Sequence, residues 1–462
     1  MPTYRTILSR LAMTAAAVCV FAVPSEATEG YSAIGFGART KALAGAGVAD
    51  SRDATAGSLN PAGLVHVGDE IDVSMSVFSP RRGFDTSNGP GPFLPANSSI
   101  DSDRDYFFIP NVAWSTRAFK NPLFDVMAFN MVGNGGMNTS YPTFDRAANP
   151  CITPGGAVNL PGVFCAGASG INLLQMVMSV AMAKQIAPGI SVGVAPMMAL
   201  QSFDARGIGL FNGFTAPGAS IAPDSTNDWS YGFGVRGGIE ISPMRNVRIG
   251  IAGTSPIWME DFNHYTGLFA NRGQFDIPAS LHAGIAVDLS PQLTVMLDWR
   301  HIWFSSIDSV GNPQQNLFNC PVLGGGPANE FCFGGSNGPG FGWDDVDAIK
   351  FGIEYRANQK LTLRAGYAWN SQPIGPEDVT LNTLAPAVTQ HHITAGLEYD
   401  LGNGYHLELA GMYAPEVSVS GPNMFNALNP GAFQQQIDVR MWQFEGTVGI
   451  KYKFGEAAEP LK

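Results

Sequence analysis

The sequence predicts an all-β chain, a transmembrane antiparallel β-barrel of about fourteen strands, and three observations predict it. The first is composition: the 462 residues are 45% hydrophobic and only 14% charged, with 55 glycines and a mean hydropathy of +0.05. An ordinary soluble domain is roughly a quarter charged. The second is that no internal stretch supplies the roughly 18 to 20 uninterrupted apolar residues of a membrane-crossing helix, which excludes a multi-helix membrane protein. The third is periodicity. From about Gly68 onward the chain divides into segments of ten or more residues that alternate apolar and polar, the pattern of a strand whose two faces meet different surroundings. The formal net charge of -12 argues against a nucleic-acid partner, which calls for a clustered basic surface.

The chain opens on an address. Arg5 and Arg10 precede an apolar run from Leu11 to Val23, followed by Pro24, Ser25, Glu26 and Ala27. This is the charged, apolar and small-residue order of a signal peptide over residues 1–27, too short in its apolar part for an anchor. Removing Cys19 with it leaves four cysteines, Cys151, Cys165, Cys320 and Cys332, an even number that suits an oxidising compartment. The simplest pairing is Cys151 with Cys165 and Cys320 with Cys332, each closing a local Gly/Pro-rich loop, although three connectivities remain open. The spacings lack a C-x-x-C pair and a nearby His, so zinc is not expected there, and no metal or cofactor is assigned.

Residues 28–64 do not alternate. Strands are expected near 68–82, 104–117, 123–137, 171–186, 190–204, 227–241, 247–260, 273–289, 292–305, 345–356, 360–371, 387–401, 405–418 and 438–454. In the last, Trp442, Phe444, Val448, Ile450, Tyr452 and Phe454 oppose Gln443, Glu445, Thr447, Lys451 and Lys453. Residues 171–183 also read as a short buried helix, since a continuous apolar run does not decide. Short turns fall at Asn121-Pro122, Pro188-Gly189, Ser242-Pro243, Ser290-Pro291, Asn358-Gln359 and Gly402-Asn403-Gly404, with long loops between them carrying both cysteine pairs. An even strand number, short turns at one end and long loops at the other are the signature of a bacterial outer-membrane barrel. Aromatics near strand ends on the apolar face, among them Trp303, Tyr355, Tyr367, Trp369, Tyr399 and Tyr405, read as interfacial girdles. A soluble propeller or sandwich alternates too, but explains the girdles poorly.

Residues 28–64 contain Gly37-Ala38-Arg39, Ala44-Gly45-Ala46-Gly47-Val48-Ala49, Asp53-Ala54 and Asn60-Pro61-Ala62-Gly63-Leu64. On these motifs, just after a signal peptide and before about fourteen strands, the chain resembles the FadL and TodX family of outer-membrane transporters for long-chain fatty acids and hydrocarbons. The resemblance implies a hatch over 28–64 folded inside the barrel mouth, a barrel over 65–454 and a tail over 455–462. Asn60, Pro61, Ala62 and Gly63 then form the hatch motif. Small residues suit backbone that runs close to a wall, and Asn60 is a turn former able to bond neighbouring backbone. Two features depart from the family pattern: the eight residues after Phe454 and the paired loop cysteines.

The function that the resemblance implies is passive uptake of hydrophobic small molecules by a monomer in the outer membrane, among outer-membrane lipid and lipopolysaccharide. Strands three to five are apolar on both faces, so Phe129 and Met131 are read as ligand-binding, with packing against the hatch as the rival explanation. Gly133-Asn134-Gly135-Gly136 ends the third strand, and glycines there mark a bulge or kink. In the family such a kink opens a lateral gate; the rival reading is that these glycines merely begin the following loop. Release of a sixteen-methylene chain into water forfeits roughly 13 kcal/mol, at about 0.8 kcal/mol per methylene, and a sideways route into lipid avoids it. Alternation aims Arg300, Lys350 and Arg364 inward as a cationic cluster able to meet a carboxylate, against the rival that inward charges pair across neighbouring strands. Two further functions are kept: a nonselective porin, and a lipid hydrolase built on Ser280, His282, His392 or His406. The hydrolase lacks a nucleophile, base and orienter in mutual reach, so no catalytic residue is assigned.

Overall fold

The computed structural model describes residues 28–146, 151–153, 156–158 and 160–455; the signal peptide expected over 1–27 and all but the first residue of the 455–462 tail lie outside them. Fourteen long strands form the wall: β1 (Glu70–Ser87), β2 (Phe107–Thr116), β3 (Val126–Asn138), β4 (Gly170–Ala187), β5 (Ile190–Arg206), β6 (Asp228–Met244), β7 (Val247–Thr254), β8 (Ser280–Ser290), β9 (Leu293–Ile302), β10 (Val346–Arg356), β11 (Leu361–Asn370), β12 (His391–Gly402), β13 (Tyr405–Pro422) and β14 (Gln436–Lys453). Each pairs antiparallel with its chain neighbours, and β1 also pairs with β14, from Glu70 opposite Lys453 to Ser87 opposite Gln436. The cylinder is therefore closed and leaves no open sheet edge, the condition for spanning lipid with strands. Among the described residues no helix is long and apolar enough to cross a membrane.

The faces are inverted relative to a soluble protein. Along β14, Gln443, Glu445, Thr447 and Lys451 are buried toward the lumen while Val448 and Ile450 are exposed. Tyr355, Tyr367, Trp369, Tyr399, Tyr405, Trp229 and Trp258 are also exposed on the outside, as girdles require. The segment 171–183 is strand, within β4. One turn differs from expectation. β6 continues through Ser242 and Pro243 to Met244, and the chain reverses at Arg245-Asn246. The ladder to β7 shifts register there, so the missing proline N–H falls where no partner is needed.

Six short turns lie at one rim and seven long loops at the other. The long loops carry both disulfides, Cys151–Cys165 and Cys320–Cys332. They pack into an apolar dome over the mouth, built around Phe203, Phe262, Phe269, Phe275, Phe304 and Trp343.

Residues 28–66 run inside the cylinder from the dome down to the turn rim, almost wholly buried. They form a helix at Gly37–Ala42 and 3-10 turns at Ala54–Ser58 and Pro61–His66. Their polar groups pair with inward-facing wall residues around the circumference. Asn130 of β3 donates to Ala54 O (2.8 Å), Thr394 of β12 donates to Ala42 O (2.8 Å), and Asp298 of β9 accepts from the Gly47 and Val48 amides (2.8 and 2.9 Å). Arg39 bridges Asp50 (2.6 Å) to Glu354 of β10 (3.1 Å). Backbone in a space with little bulk water needs these partners, because an unpaired buried group costs as much as a lost hydrogen bond.

Candidate functional site

At the upper end of the lumen the N-terminal segment fills an aromatic nest. The Tyr31 ring lies 4.9 Å from Phe304, 5.7 Å from Trp343 and 6.0 Å from Phe275, centroid to centroid. Gly30 turns the chain into this nest with φ +64, and a Cβ there would lie 2.6 Å from the Phe304 ring. Above it, a cleft lined by Phe203, Phe211, Phe269, Phe333, Leu381 and Leu384 retains about 30 Å³, room for a water and not for a hydrocarbon. In the described conformation the apolar mouth is shut.

Directly below, Glu29 ends on two cations. Arg300 Nη1 stands 2.9 Å and Lys350 Nζ 2.7 Å from its two carboxylate oxygens, and Glu29 is fully buried. The same cations hold the segment's backbone, Arg300 donating to Ala33 O (3.1 Å) and Lys350 to Ile34 O (3.0 Å). Buried charges need such partners, and truncating one leaves the other uncompensated. The structure thus brings two of the three sequence-predicted cations together. Arg364 is a correction. It sits level with Glu354 rather than Lys350, four residues or roughly 13 Å along the strand, and is engaged by Glu354 (2.8 Å) and Glu398 (2.5 Å). It belongs to the cross-strand network, because carboxylates face it from both sides.

The third element is a gap in the wall. β2 and β3 pair only up to Asn111 opposite Val132. Beyond that point, with Asn134 bulged between Gly133 and Gly135 in the ladder to β4, the free edge of β3 is taken by the N-terminal segment. Ala33 N donates to Asn134 O and Gly136 N donates to Tyr31 O, both at 3.0 Å, with Ser32 opposite Gly135. The gap is lined from inside by Phe78, Phe107 and Ile109 and closed above by Asp103 N donating to Ser140 O (2.8 Å). Gly135 permits the approach. A Cβ there would lie 2.1 Å from Tyr31 O.

Lower down, Asn60 caps the turn that follows it, accepting from Ala62 N (3.1 Å) and donating to Val48 O (2.8 Å) and Ile239 O of β6 (3.3 Å). Pro61 opens the 3-10 turn, and Ala62 and Gly63 are buried within it. A Cβ on Gly63 would lie 1.8 Å from Ser51 Oγ.

Phe129 is a second correction. Asn130 beside it points inward to Ala54, so Phe129 faces outward, half-buried, whereas Met131 is buried, at 3% exposure. The inward face of this sector is made of small residues, Ala128, Ala181, Ala183 and Ala195, packed on Ala56, Leu64 and Val65 of the N-terminal segment. Small residues on that face suit close packing against the segment. The aromatic nest is not legible from periodicity, because it is built from loop residues. Its signal was the density of Phe and Trp in loops 255–279 and 303–345. Among loop groups outside the membrane, burial pushes the Asp378 carboxyl up to about 6, and its Oδ1 has no hydrogen-bond partner among the described residues.

The family model described as outer membrane protein transport protein (OMPP1/FadL/TodX) matches residues 15–420. The chain belongs to this family. The architecture of this OMPP1/FadL/TodX member is similar to that of the Pseudomonas putida toluene transporter TodX, at 15% identity, 92% of this chain and 100% of that chain covered and TM-score 0.61. A Pseudomonas aeruginosa FadL homologue gives 14% identity, 92% and 100% coverage and TM-score 0.61. The Ralstonia pickettii toluene transporter TbuX gives 18%, 91% and 99%, and 0.58. No curated protein sequence is significantly similar to the chain. This OMPP1/FadL/TodX protein is an outer-membrane transport barrel and not an enzyme.

Proposed function

We propose that the chain takes up hydrophobic small molecules passively through the outer membrane, with residues 28–66 as a hatch and the gap between β2 and β3 as a lateral exit. The observation that carries the reading is the substitution of Tyr31, Ser32 and Ala33 for β2 on the upper edge of β3. Two hydrogen bonds of this kind contribute about 1 to 3 kcal/mol together, and the Glu29 ion pairs with Arg300 and Lys350 add to the cost of withdrawal, which an anionic cargo offsets by taking the place of the Glu29 carboxylate. Withdrawal of Glu29, Gly30 and Tyr31 vacates an aromatic nest and two cations at once. That pairing of surfaces suits an apolar body bearing one carboxylate, as in a fatty or aromatic acid. Neutral hydrocarbons, such as the toluene of the TodX and TbuX toluene transporters, use the nest alone. Gly133, Asn134, Gly135 and Gly136 are the gate because their small side chains admit the segment that must leave.

Cargo leaving sideways keeps its methylenes out of water, each worth about 0.8 kcal/mol, and bypasses the lipopolysaccharide leaflet. The closed wall needs no second subunit to satisfy its edges, so the transporting unit is the monomer. The test is uptake by cells that lack their own transporters and produce this chain. Labelled hexadecanoate or a labelled monoaromatic compound enters above background and a sugar of similar size does not. Equal entry of the sugar would establish a general porin instead.

A further inference from the structure

Near the turn rim, three buried carboxylates from three separate elements converge. Asp53 caps the 3-10 turn Ala54–Ser58 of the N-terminal segment, Asp72 lies on β1 and Glu408 on β13; they are 1%, 1% and 0% exposed. One oxygen of each lies within 4.8 Å of the others. Their remaining bonding potential points the same way. Asp53 Oδ1 accepts from the Thr55 amide (3.1 Å) and Glu408 Oε1 pairs with Lys451 (2.8 Å), but Asp53 Oδ2, Glu408 Oε2 and both oxygens of Asp72 have no hydrogen-bond partner among the described residues. Ser74, two residues along β1 on the same face, has a hydroxyl in the same condition.

The wall is shaped to let these groups meet. In register, Glu408 of β13 faces Gly449 of β14, and Gly449 faces Ser74 of β1. A Cβ on Gly449 would stand 3.2 Å from the Ser74 Cβ and 3.5 Å from the Glu408 Cβ. The glycine therefore removes the one side chain that would separate Glu408 from β1. Two cations reach Glu408 without neutralising the group: the Lys451 ammonium is shared between Glu408 (2.8 Å) and Glu398 (3.2 Å), and Arg364, 3.7 Å from Glu408, is already engaged by Glu354 (2.8 Å) and Glu398 (2.5 Å). Glu70, also buried, adds a further carboxylate beside Asp53, accepting from the Ala54 amide (2.6 Å).

We propose that Asp53, Asp72 and Glu408 bind one hard divalent cation of calcium's size, which ties the N-terminal segment to the wall at β1 and β13. An all-carboxylate donor set selects hard cations and not zinc or copper. Calcium takes oxygens at about 2.3 to 2.6 Å, so two ligands stand up to roughly 5 Å apart, in keeping with the observed spacing. Magnesium, at about 2.0 to 2.1 Å, requires oxygens within roughly 4.2 Å and a stricter geometry. This inference stands apart from the proposed function, since cation binding is read without any transported substrate.

The test is equilibrium dialysis of the full, detergent-purified chain against radioactive calcium, at neutral pH and in an ionic strength that suppresses diffuse binding. One equivalent per chain is expected, with affinity falling at least ten-fold in Asp72→Asn, Glu408→Gln and Asp53→Asn, each shown to be folded by its heat-modifiable migration on a gel. Asp53→Asn lies outside the wall and carries the test if a wall variant does not fold. As a second readout, chelation is expected to expose the Arg52–Asp53 bond to trypsin in the wild type and to add nothing in Asp53→Asn. Absence of saturable calcium binding, selective saturation by magnesium, or equal calcium binding by the folded variants overturns the proposal, leaving shared protons to hold the carboxyl groups together.

Discussion

Replacing Gly135 with alanine adds one carbon where the N-terminal segment crosses the edge of β3. The new Cβ falls 2.1 Å from Tyr31 O and 3.1 Å from Tyr31 C, while real Cβ contacts essentially never fall below 3.0 Å. The segment must withdraw by about 1 Å, which carries two 3.0 Å hydrogen bonds, Ala33 to Asn134 and Gly136 to Tyr31, past the roughly 3.2 Å limit of good geometry. At about 0.5 to 1.5 kcal/mol each, their loss costs about 1 to 3 kcal/mol. With tenfold per 1.4 kcal/mol, that is roughly a 5- to 150-fold rise in the population with the segment detached. β3 itself accepts the change, since Gly135 does not have a positive φ. Hydrogen exchange over residues 28–36 in detergent is the assay, with Gly237→Ala as the control because a Cβ there meets nothing within 4 Å. Faster exchange in Gly135→Ala alone, accompanied by faster uptake, is expected. Unchanged protection in Gly135→Ala, or an equal effect from Gly237→Ala, would refute the reasoning.

Asn60→Ala removes the cap of its turn and two bonds, one to Val48 O earlier in the segment and one to Ile239 O of β6; a cost of about 0.5 to 2 kcal/mol is expected, read as increased ion conductance in planar bilayers. Lys350→Met leaves Glu29 with Arg300 as its one remaining ion-pair partner, so exchange at residues 28–34 accelerates, whereas uptake of hexadecanoate falls relative to that of a neutral monoaromatic compound. Asp378 has a carboxyl pK raised from 3.8 to about 6 by burial, so the folded loop favours the protonated form and stability declines as pH rises from about 4 to 6. Asp378→Asn is therefore expected to raise the thermal unfolding temperature of the loops at pH 7.5 and to leave it unchanged at pH 3.5.

Strands were legible because each meets lipid on one side and polar groups on the other, which writes a period of two into residues such as Trp442, Gln443, Phe444 and Glu445. Where the inner surface is also apolar the signal fades. In β3 and β4 the small alanines that receive the N-terminal segment and outward residues such as Phe129 both read as apolar, so alternation does not tell the two sides apart. Alternation also fixes only a direction. It aimed Arg300, Lys350 and Arg364 inward correctly, but their heights along the wall depend on the stagger between strands, and that separates Arg364 from the other two. The partner of the first two, Glu29, lies about 270 residues from Arg300 in sequence. Wall glycines at 193, 238, 250 and 366 record the path of the segment, since a Cβ at each would fall within 2.4 Å of it. A lone glycine in a strand does not reveal which backbone approaches it.

The most direct test of a lateral route is to offer a fatty acid carrying a photoreactive diazirine on its tail, irradiate during uptake, and map the labelled residues by mass spectrometry. Labelling at Phe107, Ile109 and Met137 around the gap, continuing to Tyr106 and Phe108 on the outer surface, is the predicted result. Labelling that instead descends the lumen past Asn60 to His66 and Glu240 at the turn rim would show an axial path to the periplasm and contradict the account.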